Sequence, residues 1–415
     1  MKLIYPSELY FPFLNINPNK PVDQMKRISV AVLLLAGFSG AAVAQSSVTL
    51  YGVVDEGLMI NTNAKGARQY ALTSGSASGS RWGLKGSEDL GGGLSAIFNL
   101  EGGFNSSTGA LGQNGDIFGR QVYVGLASQK YGSLMLGRQY PTGYDYVGSL
   151  TAAPQWALGG AGFGAHPSDL DNLDGTYRLN NAVKYKSPNL SGFSFGATYS
   201  LGGVAGNFTR NQAYSLGAGY NYGPLIVAAQ YSSVKNPNFA LYGNKANDST
   251  TGSNMSGPVI SGFATAGSQD VAAVGANYQL GSATLGLVYS HTSFNDLGAT
   301  AVTGVSGPAF RGKAIFNIIE ANGKYMLTQA LQLGAAYSYT AGSSLAGRSG
   351  AKYNQVDLGL DYFVSKRTDL YLVGIYQVAS GHDSTGGNAV AQIAFATQST
   401  SNRQLVAVAG IRHKF

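Results

Sequence analysis

Apolar residues recur at every second position in one segment of this chain after another. Within 193–200, for example, Phe193, Phe195, Ala197 and Tyr199 are separated by single small or polar residues. A period of two places these side chains on one face of an extended strand, so each such segment predicts a β-strand. Sixteen segments show the pattern, at roughly 47–60, 79–87, 94–104, 118–127, 133–140, 177–187, 193–203, 211–222, 224–235, 269–280, 282–294, 313–326, 330–341, 351–365, 368–380 and 403–415. The chain is therefore predicted to be all-β.

The links between these predicted strands alternate in length. Short links, such as 222–224 and 280–282, take turns with long polar links, such as 236–268 and 381–402. Antiparallel barrels that cross a membrane have short turns at one end and longer loops at the other. We therefore expect a closed barrel of sixteen antiparallel strands, with both termini at the end that carries the short turns.

A soluble β-sandwich also shows alternation, so the composition has to decide which face meets water. Only 11% of the residues are charged and 59 of 415 are Gly, whereas soluble proteins carry about a quarter charged residues and roughly 7% Gly. A sixteen-stranded barrel is too wide for side chains to fill, so its interior holds water and its apolar face points outward. The 26 tyrosines often end an apolar series, as in the aromatic girdles of membrane barrels. These features predict a transmembrane β-barrel.

The N-terminal region has the features of an export signal. Met25 is followed by Lys26 and Arg27, by an apolar run of about 11 residues at 28–38, and by Ala-Val-Ala at 42–44. Basic, apolar and small residues follow one another in this order in a secretory signal peptide. A retained membrane anchor is the alternative, but a spanning helix needs roughly 20 apolar residues.

These features give the predicted domain organisation. We assign residues 25–44 as the signal peptide, residues 1–24 as an upstream extension from a misassigned start codon, and residues 45–415 as the barrel domain. The sequence alone leaves Met1 and Met25 open as the true start. The barrel domain retains 23 basic and 18 acidic residues, which gives a net charge of about +5.

Several classes of function find no support in the sequence. The absence of cysteine excludes disulfide scaffolds, thiol catalysis and cysteine-ligated metals. The four histidines lie far apart, and the glycine-rich stretch 159–164 lacks the strand-to-helix context of a phosphate-binding loop. No run of Lys and Arg marks a nucleic-acid surface. We therefore predict no cofactor, no bound metal, no nucleic-acid partner and no enzymatic activity.

One link, at about 141–177, is both long and rich in apolar side chains. It contains Tyr144, Trp156 and Phe163 among others, too much aromatic surface to leave in water. A connection of more than about 15 residues in a compact domain is usually functional or disordered. We predict that this link, the third loop, folds inward and narrows the water-filled lumen.

Five motifs give the sequence a specific resemblance to a known family. They are Leu-Tyr-Gly at 50–52, Ser-Arg-Trp-Gly-Leu-Lys-Gly-Ser-Glu-Asp-Leu-Gly-Gly-Gly at 80–93, Gly-Arg-Gln at 137–139, Pro-Gln-Trp-Ala-Leu-Gly-Gly at 154–160 and the terminal Gly-Ile-Arg-His-Lys-Phe at 410–415. Together they resemble a Gram-negative general diffusion porin of the β-proteobacterial type, over the whole of 45–415.

The resemblance implies a location and partners. A member of that family is a homotrimer in the outer membrane, in contact with outer-membrane lipid and lipopolysaccharide. It would pass ions and small hydrophilic solutes by passive diffusion, without a transport cycle. The C-terminal strand, which ends in Phe415, would be recognised by the barrel assembly machinery.

The resemblance also implies a ladder of arginines that faces the third loop. Matching by motif places the ladder at Arg81, Arg120 and Arg178, with Lys85 and Arg138 on the same basic wall. Alternation puts Arg81 on one face with Lys85, opposite Trp82, and puts Arg178 on one face with Lys184. Both arginines are therefore predicted to point to water. Alternation does not settle the direction of Arg120, which shares its face with Val122 and Val124.

The loop motif departs from that of enterobacterial relatives. Where they carry a carboxylate beside the proline, this chain has Gln155 after Pro154, and the motif continues through Trp156, Gly159 and Gly160. The loop acids are Asp145, Asp169, Asp171 and Asp174, and the sequence leaves open which of them reach the constriction. Fewer carboxylates against three arginines predict a modest preference for anions.

Two alternatives belong to other functional classes. Some outer-membrane barrels are lipid hydrolases, which would require a Ser and a His side by side at the barrel rim. Others are adhesins or purely structural barrels, which would have a plugged lumen and no conductance.

Overall fold

The computed structural model describes residues 46–415. The predicted upstream extension at 1–24 and signal peptide at 25–44 lie outside the described residues. The described part of the chain forms one antiparallel sheet. Its strands are β1 (Ser47–Ala64), β2 (Ala67–Ser74), β3 (Arg81–Gly91), β4 (Leu94–Gly103), β5 (Gln121–Ser128), β6 (Gly132–Gln139), β7 (Leu179–Lys186), β8 (Phe193–Ser200), β9 (Ala213–Tyr222), β10 (Leu225–Lys235), β11 (Ser268–Leu280), β12 (Ala283–Leu297), β13 (Gly312–Met326), β14 (Leu331–Gly342), β15 (Lys352–Phe363), β16 (Thr368–Ser380) and β17 (Arg403–Lys414).

Two of these strands, β2 and β3, occupy a single position around the sheet. The second half of β1 pairs with β2 and the first half pairs with β3. The interruption between them is the segment 75–80, which reads Gly-Ser-Ala-Ser-Gly-Ser. The barrel therefore has sixteen strand positions, and the predicted count is confirmed. The sequence pattern missed β2 because the small residues that follow it break the alternation.

The sheet closes where the two ends of the barrel domain meet. β1 pairs with β17, with Val53 opposite Lys414. Gly52 and Phe415 extend this pairing, since each donates its backbone N–H to the carbonyl of the other at 3.1 Å. A side chain at position 52 would overlap the ring of Phe415, so only glycine fits at this seam. The closed antiparallel barrel confirms the predicted fold class.

The two faces of the sheet differ as the alternation predicts. On the outer face Leu58, Leu216 and Leu358 are half exposed or more, and they represent a long series of exposed apolar residues. On the inner face polar side chains such as Thr340 and Gln377 are fully buried. This arrangement is the inverse of that in a soluble barrel, as expected when lipid covers the outside.

Between residues 46 and 415 the helices are all short and lie in the links between strands. They are α1 (Thr142–Tyr146), α2 (Ala152–Gln155) and α3 (Pro237–Ala240), with 3-10 turns at Gln113–Gly115, Gly148–Leu150, Pro167–Asp169 and Ser261–Phe263. Across residues 46–415, no helix is long and apolar enough to cross a membrane.

The long links pack against one another in a shared apolar cluster. Leu170 and Tyr177, from the link between β6 and β7, join Tyr242, Ile260 and Phe263 from the link between β10 and β11. The rings of Tyr177 and Tyr242 meet edge to face at 4.6 Å between centroids. Because these links bury apolar surface together, they form an ordered structure rather than separate loops.

The topology predicts the orientation of the barrel in the membrane. Thr250 lies in a long link and Asn189 in a short one, and both are exposed. In intact cells that express Cys at one of these positions, a maleimide attached to a large polyethylene glycol, which crosses neither lipid nor a water-filled lumen, should label Thr250→Cys and leave Asn189→Cys unlabelled. Both variants should react after the membrane is dissolved in detergent. Labelling of Asn189→Cys alone in intact cells would show that the barrel has the opposite orientation.

Candidate functional site

The link between β6 and β7, residues 140–178, starts by packing on the buried face of the barrel wall. The hydroxyl groups of Thr142 and Thr198 are 2.8 Å apart, and the backbone N–H of Gly143 donates to Ser215 Oγ at 3.0 Å. The Tyr146 ring lies against Gly217, where a Cβ atom would come within 2.7 Å of it. Helix α1 is thus fixed on strands β8 and β9, on the side away from the exposed apolar residues.

The next turn of the link attaches to a different part of the wall. The indole of Trp156 lies on the backbones of Gly334 in β14 and Gly359 in β15, and a Cβ atom at either glycine would collide with it. At the start of α2, the backbone N–H of Ala152 donates to Glu320 Oε1 at 2.9 Å. Residues 140–156 therefore connect strands β8 and β9 with strands β13 to β15. Trp156 has a packing role here.

The tip of the link meets the interruption between β2 and β3. Ala161 donates its backbone N–H to Ser76 O at 3.1 Å, and Gly160 lies so close to residues 75–79 that a Cβ atom would overlap their backbone. Asp55 supports the interruption from β1, because its carboxylate accepts the Ser78 N–H at 2.7 Å. The break in the strand thus provides the surface on which the tip lies.

A buried histidine fixes the middle of the link. His166 Nδ1 is 2.7 Å from Asp171 Oδ2, and His166 Nε2 is 3.2 Å from Glu320 Oε2 on β13. Ser290 Oγ also donates to Asp171 at 2.5 Å. Burial by itself would lower the pKa of His166, but Asp171 and Glu320 raise this pKa well above its ordinary value. The imidazolium in turn holds the pKa of Asp171 below its ordinary value, against the opposing effect of burial.

The remaining loop acids differ in their environments. Burial, with the neighbouring Asp171, raises the pKa of Asp169 to about 7, and burial with Asp169 holds the pKa of Asp174 well above its ordinary value. Asp174 therefore keeps a proton over a wider range of pH than an exposed aspartate does. Asp145 pairs with Lys184 at 2.5 Å and with Lys186 at 2.9 Å.

A cavity of about 410 Å³ lies between this link and the barrel wall. Arg81, Arg120 and Arg178, the three arginines that the motifs singled out, all line it. The link also contributes Pro154, Gly159, Gly160 and Asp174 to its lining. Of the four loop acids, Asp174 is the one at this cavity. We refer to it below as the basic cavity.

The arginines of the basic cavity are held by two side chains that the sequence did not suggest. Glu101, on β4, accepts Arg120 Nε–H at 2.8 Å and lies 3.7 Å from Arg81 Nε. Tyr140 accepts hydrogen bonds from Arg120 and Arg178 through its hydroxyl oxygen. Glu101 lies on the inner face of β4, so alternation could have found it. Tyr140 has no such signal.

Two of the predicted basic residues lie elsewhere. Arg138 is buried outside the basic cavity, where it donates to Gly119 O at 2.8 Å and to Asn244 O at 2.6 Å, so it holds strand β6 to two links. Lys85 is exposed, with its ammonium group 5.4 Å from the centroid of the Tyr51 ring. Neither side chain lines the cavity.

The structure also shows why alternation treated the arginines unequally. Arg120 lies at a bend before β5 starts at Gln121, so the alternation of that strand does not extend to it. Arg178 likewise precedes β7, and the register of β6 and β7 shifts between Gly137 and Gln139. Strict alternation therefore does not connect Arg178 with Lys184, although Arg120 and Arg178 both line the cavity.

Two more residues reach the basic cavity from distant links. Lys245 comes from the link between β10 and β11, and burial lowers the pKa of its ammonium group. Phe395 comes from the link between β16 and β17 and lies against Gly162. No motif marks either residue, and only the packing of the links brings them there.

A second cavity, of about 530 Å³, is lined in part by residues of α1 and α2. Gln155 and Asp145 line it, together with carboxamide and hydroxyl side chains such as Asn277, Gln279 and Thr284. Gln155 therefore does not face the arginines, although its neighbour Pro154 does. The amide of Gln155 donates to Leu150 O at 3.0 Å.

Comparison with known proteins identifies related chains. A family model described as Gram-negative porin matches residues 30–381. An outer membrane porin protein of Bordetella pertussis is 34% identical over 391 residues, which cover 85% of this chain and 94% of the relative. Outer membrane porin protein 32 of Delftia acidovorans is 31% identical, with coverage of 94% and 100%. An anion-selective porin from Comamonas acidovorans has a similar structure, with a TM-score of 0.66, 24% identity and coverage of 89% and 100%.

The histidine contacts predict a measurable contribution to stability. His166→Ala would leave Asp171 and Glu320 buried without their cationic partner, and removal of one member of a buried ion pair costs about 3 kcal/mol or more. We expect urea unfolding in lipid vesicles, followed by tryptophan fluorescence, to show a free energy of unfolding lower by about this amount. The control is His291→Ala, since His291 is not buried and bonds to Asn317. Equal losses in the two variants would contradict the assignment.

The contribution of His166 to stability should also depend on pH. The raised pKa of His166 means that its contribution is complete below the unfolded value of about 6.5 and is lost as the pH rises through the folded value. Asp171 has a lowered pKa, so its contribution is lost as the pH falls into the acid range. Asp357 on β15 also interacts with His166 and Glu320. The difference in the free energy of unfolding between wild type and His166→Ala should therefore be largest near pH 5 to 6, which lies between the unfolded pKa values of Asp, about 3.9, and His, about 6.5. This difference should shrink at alkaline pH.

Proposed function

Because this chain belongs to the Gram-negative porin family, we propose that its basic cavity is the constriction of the channel and gives it a modest preference for anions. The protein is an outer-membrane porin, a channel that ions and small hydrophilic solutes cross by passive diffusion. Residues 141–177 form the inward-folded loop that narrows the lumen. The proposal rests on the contacts of this loop with the inner face of the barrel and with the interruption between β2 and β3.

The observation that carries the preference is the charge balance of the cavity. Three guanidinium groups line it, from Arg81, Arg120 and Arg178. Glu101 balances one of them, and the carboxyl group of Asp174 is held towards its protonated form. A positive excess therefore remains in a narrow space with little solvent to screen it. Fixed charges in such a constriction raise the local concentration of counter-ions, here anions.

The effect is confined to the narrow part of the channel. In the wider vestibules the screening length is about 8 Å at physiological ionic strength, so charges on the outer links contribute little to selectivity. This is why the preference is modest and is set by few residues.

The assembly follows from the same family membership. We propose a homotrimer in contact with outer-membrane lipid and lipopolysaccharide. The exposed apolar outer face supports this proposal because lipid and a neighbouring subunit both require such a surface. We also propose that the barrel assembly machinery recognises the last strand. The ring of Phe415 is half exposed at the seam and is available for such contacts.

An enzymatic role has weaker support. A Ser and a His do meet at the barrel rim, since Ser349 Oγ is 3.3 Å from His382 Nδ1. A hydrolase also needs a carboxylate that orients the imidazole. The carboxylate next to His382 in the sequence is that of Asp383, and it accepts a hydrogen bond from Thr385 instead. We therefore propose a channel without hydrolase activity.

Removal of the arginines should change the selectivity. We expect Arg81→Ser with Arg178→Ser to widen the constriction, raise the single-channel conductance and shift the reversal potential in a KCl gradient towards cations. The reason is that two of the three guanidinium charges leave the cavity while Glu101 stays. If the double variant kept the anion preference of the wild type, the basic cavity would not be the selectivity element.

A single added charge provides a matched test. Gln113 lines the basic cavity and Gln279 lines the second cavity, so Gln113→Glu and Gln279→Glu make the same chemical change in different places. Gln113→Glu should move the reversal potential towards cations without raising the conductance, because the side chains have nearly the same size. Gln279→Glu should have a smaller effect. Equal shifts would show that selectivity is not set at the basic cavity.

A further inference from the structure

Tyr140 holds two cations at one oxygen atom. Arg120 Nη2–H donates to the Tyr140 hydroxyl oxygen at 2.8 Å, and Arg178 Nη2–H donates to it at 2.7 Å. The tyrosine is buried and directly follows β6, while the two arginines precede β5 and β7. Both lone pairs of the phenol oxygen are thus used by guanidinium groups.

The two arginines differ in what else they contact. Arg120 has an acidic partner, because its Nε–H bonds to Glu101 at 2.8 Å. Arg178 bonds to Thr176 O at 2.5 Å, and its Cζ lies 4.5 Å from the centroid of the Tyr140 ring. Its buried Nε has no hydrogen-bond partner among the described residues. Within residues 46–415, no carboxylate forms a direct ion pair with Arg178, and the contacts of its guanidinium group are with dipoles and an aromatic face.

Such a pair of guanidinium groups around one oxygen is an arrangement that binds oxyanions. Carboxylates and phosphates accept short, charge-assisted hydrogen bonds from arginine, often from several donors at once. Here the neutral hydroxyl oxygen of Tyr140 accepts the hydrogen bonds of both arginines. An oxyanion that enters the cavity must therefore compete with the Tyr140 hydroxyl for Arg120 and Arg178.

This competition matters because a channel has to release what it attracts. Conduction requires binding that is favourable enough for entry and weak enough for exit. We propose that Tyr140 acts as an internal ligand of Arg120 and Arg178 and limits how long polyatomic oxyanions stay in the basic cavity. Tyr140 is thereby a residue that determines specificity among anions. This inference rests on the proposed function of the basic cavity.

The test uses Tyr140→Phe and inorganic phosphate as the probe. Single-channel chloride currents are recorded in planar bilayers while the phosphate concentration is raised at constant pH and ionic strength. We expect the phosphate concentration that halves the chloride current to fall about tenfold in the variant, equivalent to about 1.4 kcal/mol. A residue that merely positioned the arginines would change the inhibition in the opposite direction, because its loss would disperse the donors.

Two further variants make the result decisive. Tyr289→Phe is the matched control, since the Tyr289 hydroxyl bonds to Asn317 at 2.8 Å on the outer face of the barrel. Phosphate should inhibit the chloride current of this variant as it does that of the wild type. Tyr140→Leu also lacks the oxygen and gives the answer if Tyr140→Phe does not insert. Phosphate inhibition that is unchanged or weaker in the Tyr140 variants would overturn the proposal.

The proposed function is tested separately in the same recordings. The reversal potential of the wild type in a KCl gradient shows whether the channel prefers anions. A wild type without that preference would overturn the proposed selectivity, whatever the Tyr140 variants show. A selective wild type with unchanged phosphate inhibition in Tyr140→Phe would overturn only the role of Tyr140.

Discussion

Every peptide group that crosses lipid must find its hydrogen-bond partner within the protein, because hydrocarbon offers none. The pairing of β1 with β17 meets this requirement, and Gly52 and Phe415 extend it to the end of the chain. Closure at sixteen strand positions, however, leaves a lumen wider than side chains can fill. The link between β6 and β7 packs on the inner face of this wall, and we have proposed that it narrows the space. The basic cavity therefore depends on the closure of the barrel as much as on its own residues.

The link between β6 and β7 is held against the inner face of the barrel by the packing of its side chains and by buried charge pairs. Aromatic rings lie on glycines of the wall, as Trp156 does on Gly334 and Gly359. Both ring nitrogens of His166 are occupied by contacts with Asp171 and Glu320. Asp145 and Asp171 are paired, and burial raises the pKa of Asp169 and of Asp174. The side chains that anchor the link are thus different from the three arginines on which the proposed selectivity depends.

The strands could be predicted from the sequence because a barrel repeats one local rule. The strand predicted at 368–380 is found at Thr368–Ser380. Where the local rule ends, prediction fails: a run of small residues hides β2, and a bend places Arg120 beyond the alternation of β5.

The candidate site was only partly visible for a related reason. Motif resemblance located three arginines, whereas Lys245 and Phe395 reach the cavity from links far away in the sequence. Which loop acid faces the cavity depends on how the links pack, and this tertiary arrangement leaves no periodic signal in the chain.

The contact between the loop tip and the interrupted strand has a consequence for how such channels change over time. Ser76 O accepts the backbone N–H of Ala161, and Gly160 packs directly on the backbone of residues 75–79. An insertion in either segment would break this hydrogen bond and the close packing. Among descendants of one ancestral gene, these two segments should therefore keep their lengths together, while the exposed parts of the outer links are free to drift.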